Sequence, residues 1–105
     1  MLITMTVQYL RGGELSDDPT LADFIHCELS CEGMCDDLKR LIELGHMISF
    51  EYECNQYNVM YDGINGVVTI RDAVHEKHSI PEYYKRISMS AADFLDILST
   101  KCGEL

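Results

Sequence analysis

The chain has no tryptophan, two prolines, and only eight lysines and arginines against eighteen aspartates and glutamates. Each scarcity closes off a class of function. A protein that neutralises phosphates needs clustered Lys and Arg, and here the basic residues never run longer than the pairs Lys39-Arg40 and Lys85-Arg86. Direct reading of nucleic acid is therefore disfavoured, and so is docking on an anionic membrane. No apolar run reaches the roughly 18 residues that suggest a membrane span. Carboxylates are plentiful enough for a glycosidase-like pair, but 105 residues without tryptophan make a poor sugar-binding cleft.

Catalytic signatures are missing as well. Neither G-x-S-x-G nor a cysteine-protease signature occurs, and there is no glycine-rich loop of the phosphate-cradling kinds. The expectation is a protein that is not an enzyme and carries no cofactor. The first residues, "MLITMTVQYLRGG", lack a basic n-region, and alternating polar residues break any apolar h-region, so they do not read as a signal peptide. Five cysteines, an odd number, in a chain without an export signal suggest a reducing compartment in which the thiols stay free. A cytoplasmic location is expected.

What the sequence does have is apolar content and acid. At 105 residues and 47% hydrophobic, residues 1–105 make one domain with a modest core. The net charge of −10 is uneven: between Glu14 and Glu53 there are eleven acids and only Lys39 and Arg40. Residues 54–105 carry seven acids and five bases. An acidic stretch of this kind serves either as a solubilising face or as a docking face for a basic protein.

"LITMTVQY" alternates, with Ile3, Met5, Val7 and Tyr9 on one face, which predicts a half-buried strand. Gly12-Gly13 breaks it. Asp18 is placed as an N-cap with Pro19 at the first helical position, and Leu21, Phe24, Ile25 and Leu29 follow at helical spacing. Gly33 interrupts, and a second helix is predicted over Met34 to Leu44, with Leu38, Leu41 and Ile42 inward and Gly45 as its C′ residue. "MISFEYEC" puts Ile48, Phe50, Tyr52 and Cys54 opposite Ser49, Glu51 and Glu53. "YNVMYD" and "VVTIRD" follow after short turns, an antiparallel meander. "AVHEKHSIPEYY" reads as a loop leading into a possible strand "YYKRISM". Ser90 and Asp93 then resemble a capping box opening a last helix, Ala91 to about Lys101, that buries Phe94, Leu95 and Leu98. The expected fold class is α+β: a mostly antiparallel sheet of four or five strands with two or three helices packed on one face.

"HCELSCEGMC" places Cys27, Cys31 and Cys35 at spacings of four. Cys27 and Cys31 at i and i+4 have the spacing of a helical ligand pair. Cys35 would lie about 12 Å from Cys27 along a helix, beyond a shared metal bonded at about 2.3 Å, and no C-x-x-C knuckle is present. Small buried hydrophobes flanking the Phe24/Ile25/Leu29 stripe are the preferred reading. A redox role is handicapped because Glu28, Glu32, Asp36 and Asp37 disfavour a thiolate. His75 and His78, at i and i+3, lack a third ligand in register. His26 and His46 stand alone.

The candidate partner-binding residues are Asp17, Asp18, Asp23, Glu28, Glu32, Asp36, Asp37, Glu43, Glu51 and Glu53. The helical ones fall largely off the apolar stripes, and Asp17 and Asp18 complement the dipole of the helix they open. Glu51 and Glu53 share one face of a strand with aromatics opposite. Such a carboxylate surface, of roughly duplex-groove dimensions, matches a basic nucleic-acid channel and would speed association with it.

The segment "DLKRLIELGHMISFEYECNQYNVMYDGINGVVTIRD", followed by "ISMSAADFLDIL", resembles small bacterial immunity proteins of polymorphic toxin systems. The similar pieces are Leu38 to Leu44, Phe50-Glu51-Tyr52, Tyr57 and the Phe94-Leu95 helix, roughly half the chain, with Asn55-Gln56 in place of an Asn-Gly turn. In size, charge and mixed α+β character the chain is equally similar to small acidic phage-encoded inhibitors, including anti-CRISPR proteins. The resemblance implies binding and blocking of a basic protein, a nuclease or another nucleic-acid enzyme. Two alternatives remain open: a small cytosolic metal or redox protein using Cys27 and Cys31, and a homo-oligomeric accessory subunit.

Overall fold

A computed structural model describes residues 6–31, 33–44, 48–78 and 85–102. In chain order the elements are β1 (Thr6–Tyr9), α1 (Glu14–Asp17), α2 (Pro19–Glu28), α3 (Met34–Leu44), β2 (Ser49–Glu53), β3 (Tyr57–Asp62), β4 (Val67–Asp72), α4 (Ala73–His78), β5 (Lys85–Ser90) and α5 (Ala91–Cys102). The class is α+β. One five-stranded sheet runs β1-β5-β4-β3-β2, antiparallel throughout except for the parallel pair β1–β5.

Local chemistry sets the element ends. The Asp18 carboxylate accepts from the Leu21 amide at 2.9 Å, capping α2 with Pro19 at its start. Gly33, at φ +84, separates α2 from α3 in a conformation that favours glycine. Ser90 Oγ accepts from the Asp93 amide at 3.1 Å, opening α5. At the β3–β4 turn, Asp62 Oδ2 accepts from the Asn65 side-chain amide (2.7 Å) and Oδ1 from the Ile64 and Asn65 backbone amides. The Asn65 amide groups, side chain first, hold that carboxyl below its ordinary range.

The register decides what each face carries. Phe50, Tyr52, Val59, Tyr61, Val68, Ile70, Ile87 and Met89 are cross-strand neighbours on one face. Leu21 and Phe24 of α2, Leu38 and Ile42 of α3, and Phe94 and Leu98 of α5 join them in the core. Phe24 sits edge-on to the Tyr57 ring at 5.8 Å and tilted on Phe94 at 6.1 Å, so one aromatic couples α2 to both sheet and α5. The other face carries Glu51, Asn58, Met60, Thr69, Arg71, Arg86 and Ser88, and Glu76 of α4 reaches it.

Three expectations change. The apolar alternation in β1 predicts burial, yet Val7 is 54% and Tyr9 41% exposed. β1 is an edge strand whose register with Arg86 and Ser88 turns these two onto the open face, and Leu10 enters the core instead. Ile3 and Met5 lie outside the described residues, as does Gly45. "AVHEKH" forms the short helix α4 rather than a loop, and β5 begins at Lys85. Finally, the thiols are not all free. Cys35 at the start of α3 is bonded to Cys102 at the end of α5, with Cα atoms 6.0 Å apart. An odd cysteine count permits one bridge, and a sequence separation of 67 hides this pairing from local spacing.

The bridge closes a long loop, so its removal is expected to cost stability. With the cysteines 67 positions apart, loop-closure entropy gives about 4 kcal/mol. Urea unfolding of the oxidised protein and of a Cys35→Ser/Cys102→Ser variant measures it. A loss under about 1 kcal/mol would show the bridge to be incidental to the fold.

Candidate partner-binding surface

The ten candidate carboxylates do not form one set. Glu28 is fully buried. Its Oε2 accepts from the Asn55 amide at 2.7 Å and its Oε1 from the Gln56 amide at 3.1 Å, so the side chain caps the β2–β3 turn from the end of α2. A group without exposed surface is no contact for a partner, and Glu28 leaves the set. Asp18 is 6% exposed and leaves it for the same reason. Glu32 lies outside the described residues. Asp17, Asp23, Asp36, Asp37, Glu43, Glu51 and Glu53 are exposed.

Of these, Asp23 faces inward on one side. It accepts a hydrogen bond from the Tyr57 hydroxyl through Oδ2 and one from the Cys27 thiol at 3.6 Å through Oδ1. Burial first, then the Asp23 carboxylate, push the Tyr57 phenol up, and Asp72 adds to both the Tyr57 and Cys27 shifts. Asp72, which sequence reasoning passed over, is the cross-strand partner of Tyr57 and accepts from Gln56 Nε2 at 2.9 Å. Only the register places it beside the end of α2.

Glu51 belongs to a polar network on the open face. Arg71 bonds Glu51 at 3.2 Å and Glu76 at 2.8 Å, and Arg86 bonds Glu76 at 2.9 Å. Burial works against the Arg71 charge, and the hydrogen bond to Glu76 with the pull of Glu51 outweighs it, so its affinity for the proton rises. Asn58 adds a bond to the same Glu51 oxygen at 2.9 Å. Arg71 and Arg86, the bases nearest this face of β2–β5, are thus engaged by carboxylates from the protein itself.

The remaining acids gather where α3 meets β2. The Cys54 thiol contacts Met34 Sδ at 3.7 Å, which sets the start of α3 beside the end of β2. Asp37 is near enough to Tyr52 to help burial raise its phenol pKa. Asp37 on one side of β2 and Glu51 and Glu53 on the other therefore flank a single strand, while Asp36 lies towards Cys31 and the Cys35–Cys102 bridge. Asp17 on α1 and Glu43 at the far end of α3 are not brought into that group.

The cysteines divide too. Cys27, Cys31 and Cys54 are free and partly buried. The Cys31 sulfur accepts from Asn55 Nδ2 at 3.3 Å while its thiol points to the Cys27 carbonyl. Among the described residues no group of three or more His, Cys, Asp or Glu side chains is placed to hold a metal, and no helix is long and apolar enough to cross a membrane. No protein-family model, curated protein or solved structure matches this chain.

Two outcomes are expected. Glu28→Gln keeps the shape but replaces one acceptor oxygen with a donor, which should cost about 2 kcal/mol by chemical unfolding; an unchanged midpoint would mean the turn amides find other acceptors. Burial, with Glu28 adding, pushes the Cys54 thiol from 9.0 up to about 12. Its alkylation by iodoacetamide at pH 8 should run about a thousand times slower than for an ordinary thiol, because so little thiolate exists. Mass mapping of modified cysteines over time reads this directly.

Proposed function

We propose that this chain is a non-enzymatic inhibitor that binds and blocks a basic nucleic-acid-processing enzyme, a nuclease toxin or CRISPR effector, through acidic surface. The observation that supports it best is the group at β2: Glu51 and Glu53 are exposed on the strand, and the exposed Asp37 lies beside Tyr52. The buried acids Glu28 and Asp18 have roles inside the fold, so the reading no longer rests on total charge. Carboxylates set around one strand offer a basic channel a complementary potential, which speeds encounter and competes with nucleic acid for the same cations. The resemblance to immunity and anti-CRISPR proteins points to the same mechanism.

A cytoplasmic location belongs to this reading. Three free thiols fit it, whereas the Cys35–Cys102 bond fits an oxidising compartment. Trapping thiols in intact cells before lysis tells which state that pair holds. A second reading, the homo-oligomeric accessory subunit, draws on the exposure of Val7 and Tyr9 on the open sheet face; the mass in solution tests it.

The inhibitor reading predicts a captured nucleic-acid enzyme whose activity falls to background at stoichiometric amounts of this chain in low salt and recovers as salt rises. Reversal at Asp36→Lys and Asp37→Lys should weaken inhibition about tenfold or more, with only the small drop in melting temperature that cations in the first turn of α3 bring. Inhibition that ignores both salt and charge reversal would remove the electrostatic mechanism.

A further inference from the structure

Among the described residues β2 is the last strand of the sheet on the side away from β1, and its pairing with β3 shows which backbone groups it leaves outward. Cys54 N donates to the Tyr57 carbonyl at 3.0 Å, and Gly63 N donates to the Ile48 carbonyl at 2.8 Å. Both lie on the register that pairs Phe50 with Tyr61 and Tyr52 with Val59. Bonded and non-bonded pairs alternate in an antiparallel ladder. Ile48, Phe50, Tyr52 and Cys54 therefore turn their amides and carbonyls to β3, and Ser49, Glu51 and Glu53 turn theirs outward. These three are also the exposed side chains of the strand. Backbone pairing capacity and negative charge coincide at Glu53, and at Glu51, whose carboxylate also bonds Arg71 through one oxygen.

We propose that a partner docks here by strand addition: an extended segment of a basic protein pairs with the outer edge of β2 as a sixth strand. Its Lys or Arg side chains on one face meet Glu51 and Glu53, and those on the other approach Asp37 beside Tyr52. Charge selects this occupant. A second copy of the chain pairing antiparallel through β2 would set Glu51 against the other copy's Glu53 or against its own counterpart, and like charges directly opposite are destabilising. Charged edge residues ordinarily discourage pairing; that protection holds against acidic and neutral strands and reverses for a basic one. The inference takes from the proposed function only that the partner is basic, and adds where and how it binds.

The test uses the full chain, isotopically labelled, and a synthetic peptide of alternating lysine and valine. Saturating peptide should slow hydrogen exchange at the Glu51 and Glu53 amides about tenfold or more, as new backbone bonds form there. The all-glutamate counterpart should leave both unchanged, and N-methylation of the peptide's pairing amides should abolish the protection. Glu53→Pro removes one outward N–H at a position where an edge strand tolerates proline, so peptide affinity should fall about tenfold, against about threefold for Glu53→Gln. Equal binding by the N-methylated peptide, or protection confined to the helices, overturns strand addition even if Glu53→Pro fails to fold. A basic enzyme inhibited while the β2 amides stay unprotected in its complex overturns this inference and leaves the proposed function standing. Peptide pairing at β2 in a chain that holds no basic enzyme upholds the edge and removes the inhibitor reading.

Discussion

The Glu28 carboxylate, sealed at the end of α2, accepts the two backbone amides of the Asn55-Gln56 turn, and much of the remaining structure follows from that arrangement. A fully buried carboxyl group survives only when its oxygens are bonded. The pair of amides supplies those bonds, and the carboxylate in turn satisfies amides that the β2–β3 ladder leaves over. One side chain thereby sets the height of α2 over the sheet and the point at which β2 reverses into β3. Phe24, one turn before Glu28, then meets Tyr57, the first residue of β3. The Gly33 break starts α3 beside the end of β2.

The same arrangement explains why so acidic a chain concentrates its usable charge. Some carboxylates are consumed within the fold: Asp18 as a helix cap, Glu28 as a turn cap, Asp23 on the Tyr57 hydroxyl, and Glu76 between Arg71 and Arg86. Bonds of that kind offset the cost of desolvating each charge, and they fix its orientation. Glu53 and Asp37 are left outward because β2 ends the sheet and because α3 starts beside the end of that strand. Their position is a consequence of topology, with the sheet edge supplying directional groups and the carboxylates supplying sign.

Much of the fold was legible in the chain. Period-two alternation in "MISFEYEC", the turn chemistry of "DGING", the Asp18-Pro19 start and the Ser90 cap are local signals, and each produced the element it announces. β1 misled because alternation reports that one face is apolar and says nothing about whether that face meets the core. Its parallel pairing with β5 is non-local, and it turned Val7 and Tyr9 to the open side. The candidate site was less legible. Asp36, Asp37, Glu51 and Glu53 were in view as exposed acids, but Glu28 carries no sequence mark that separates it from them, and Asp72 becomes a neighbour of Tyr57 only through strand register.

By itself the sequence determined the α+β class, the order of most elements and a strongly negative charge, since helical and strand periodicity, caps and composition act within a few residues. Tertiary structure alone decided which cysteines bond, which carboxylates are buried, and which strand ends the sheet. Those outcomes depend on residues that meet across 27 to 67 positions of chain. No local pattern encodes such meetings, because they are fixed by how the helices seat on the sheet and by where the last unpaired row of backbone groups is left.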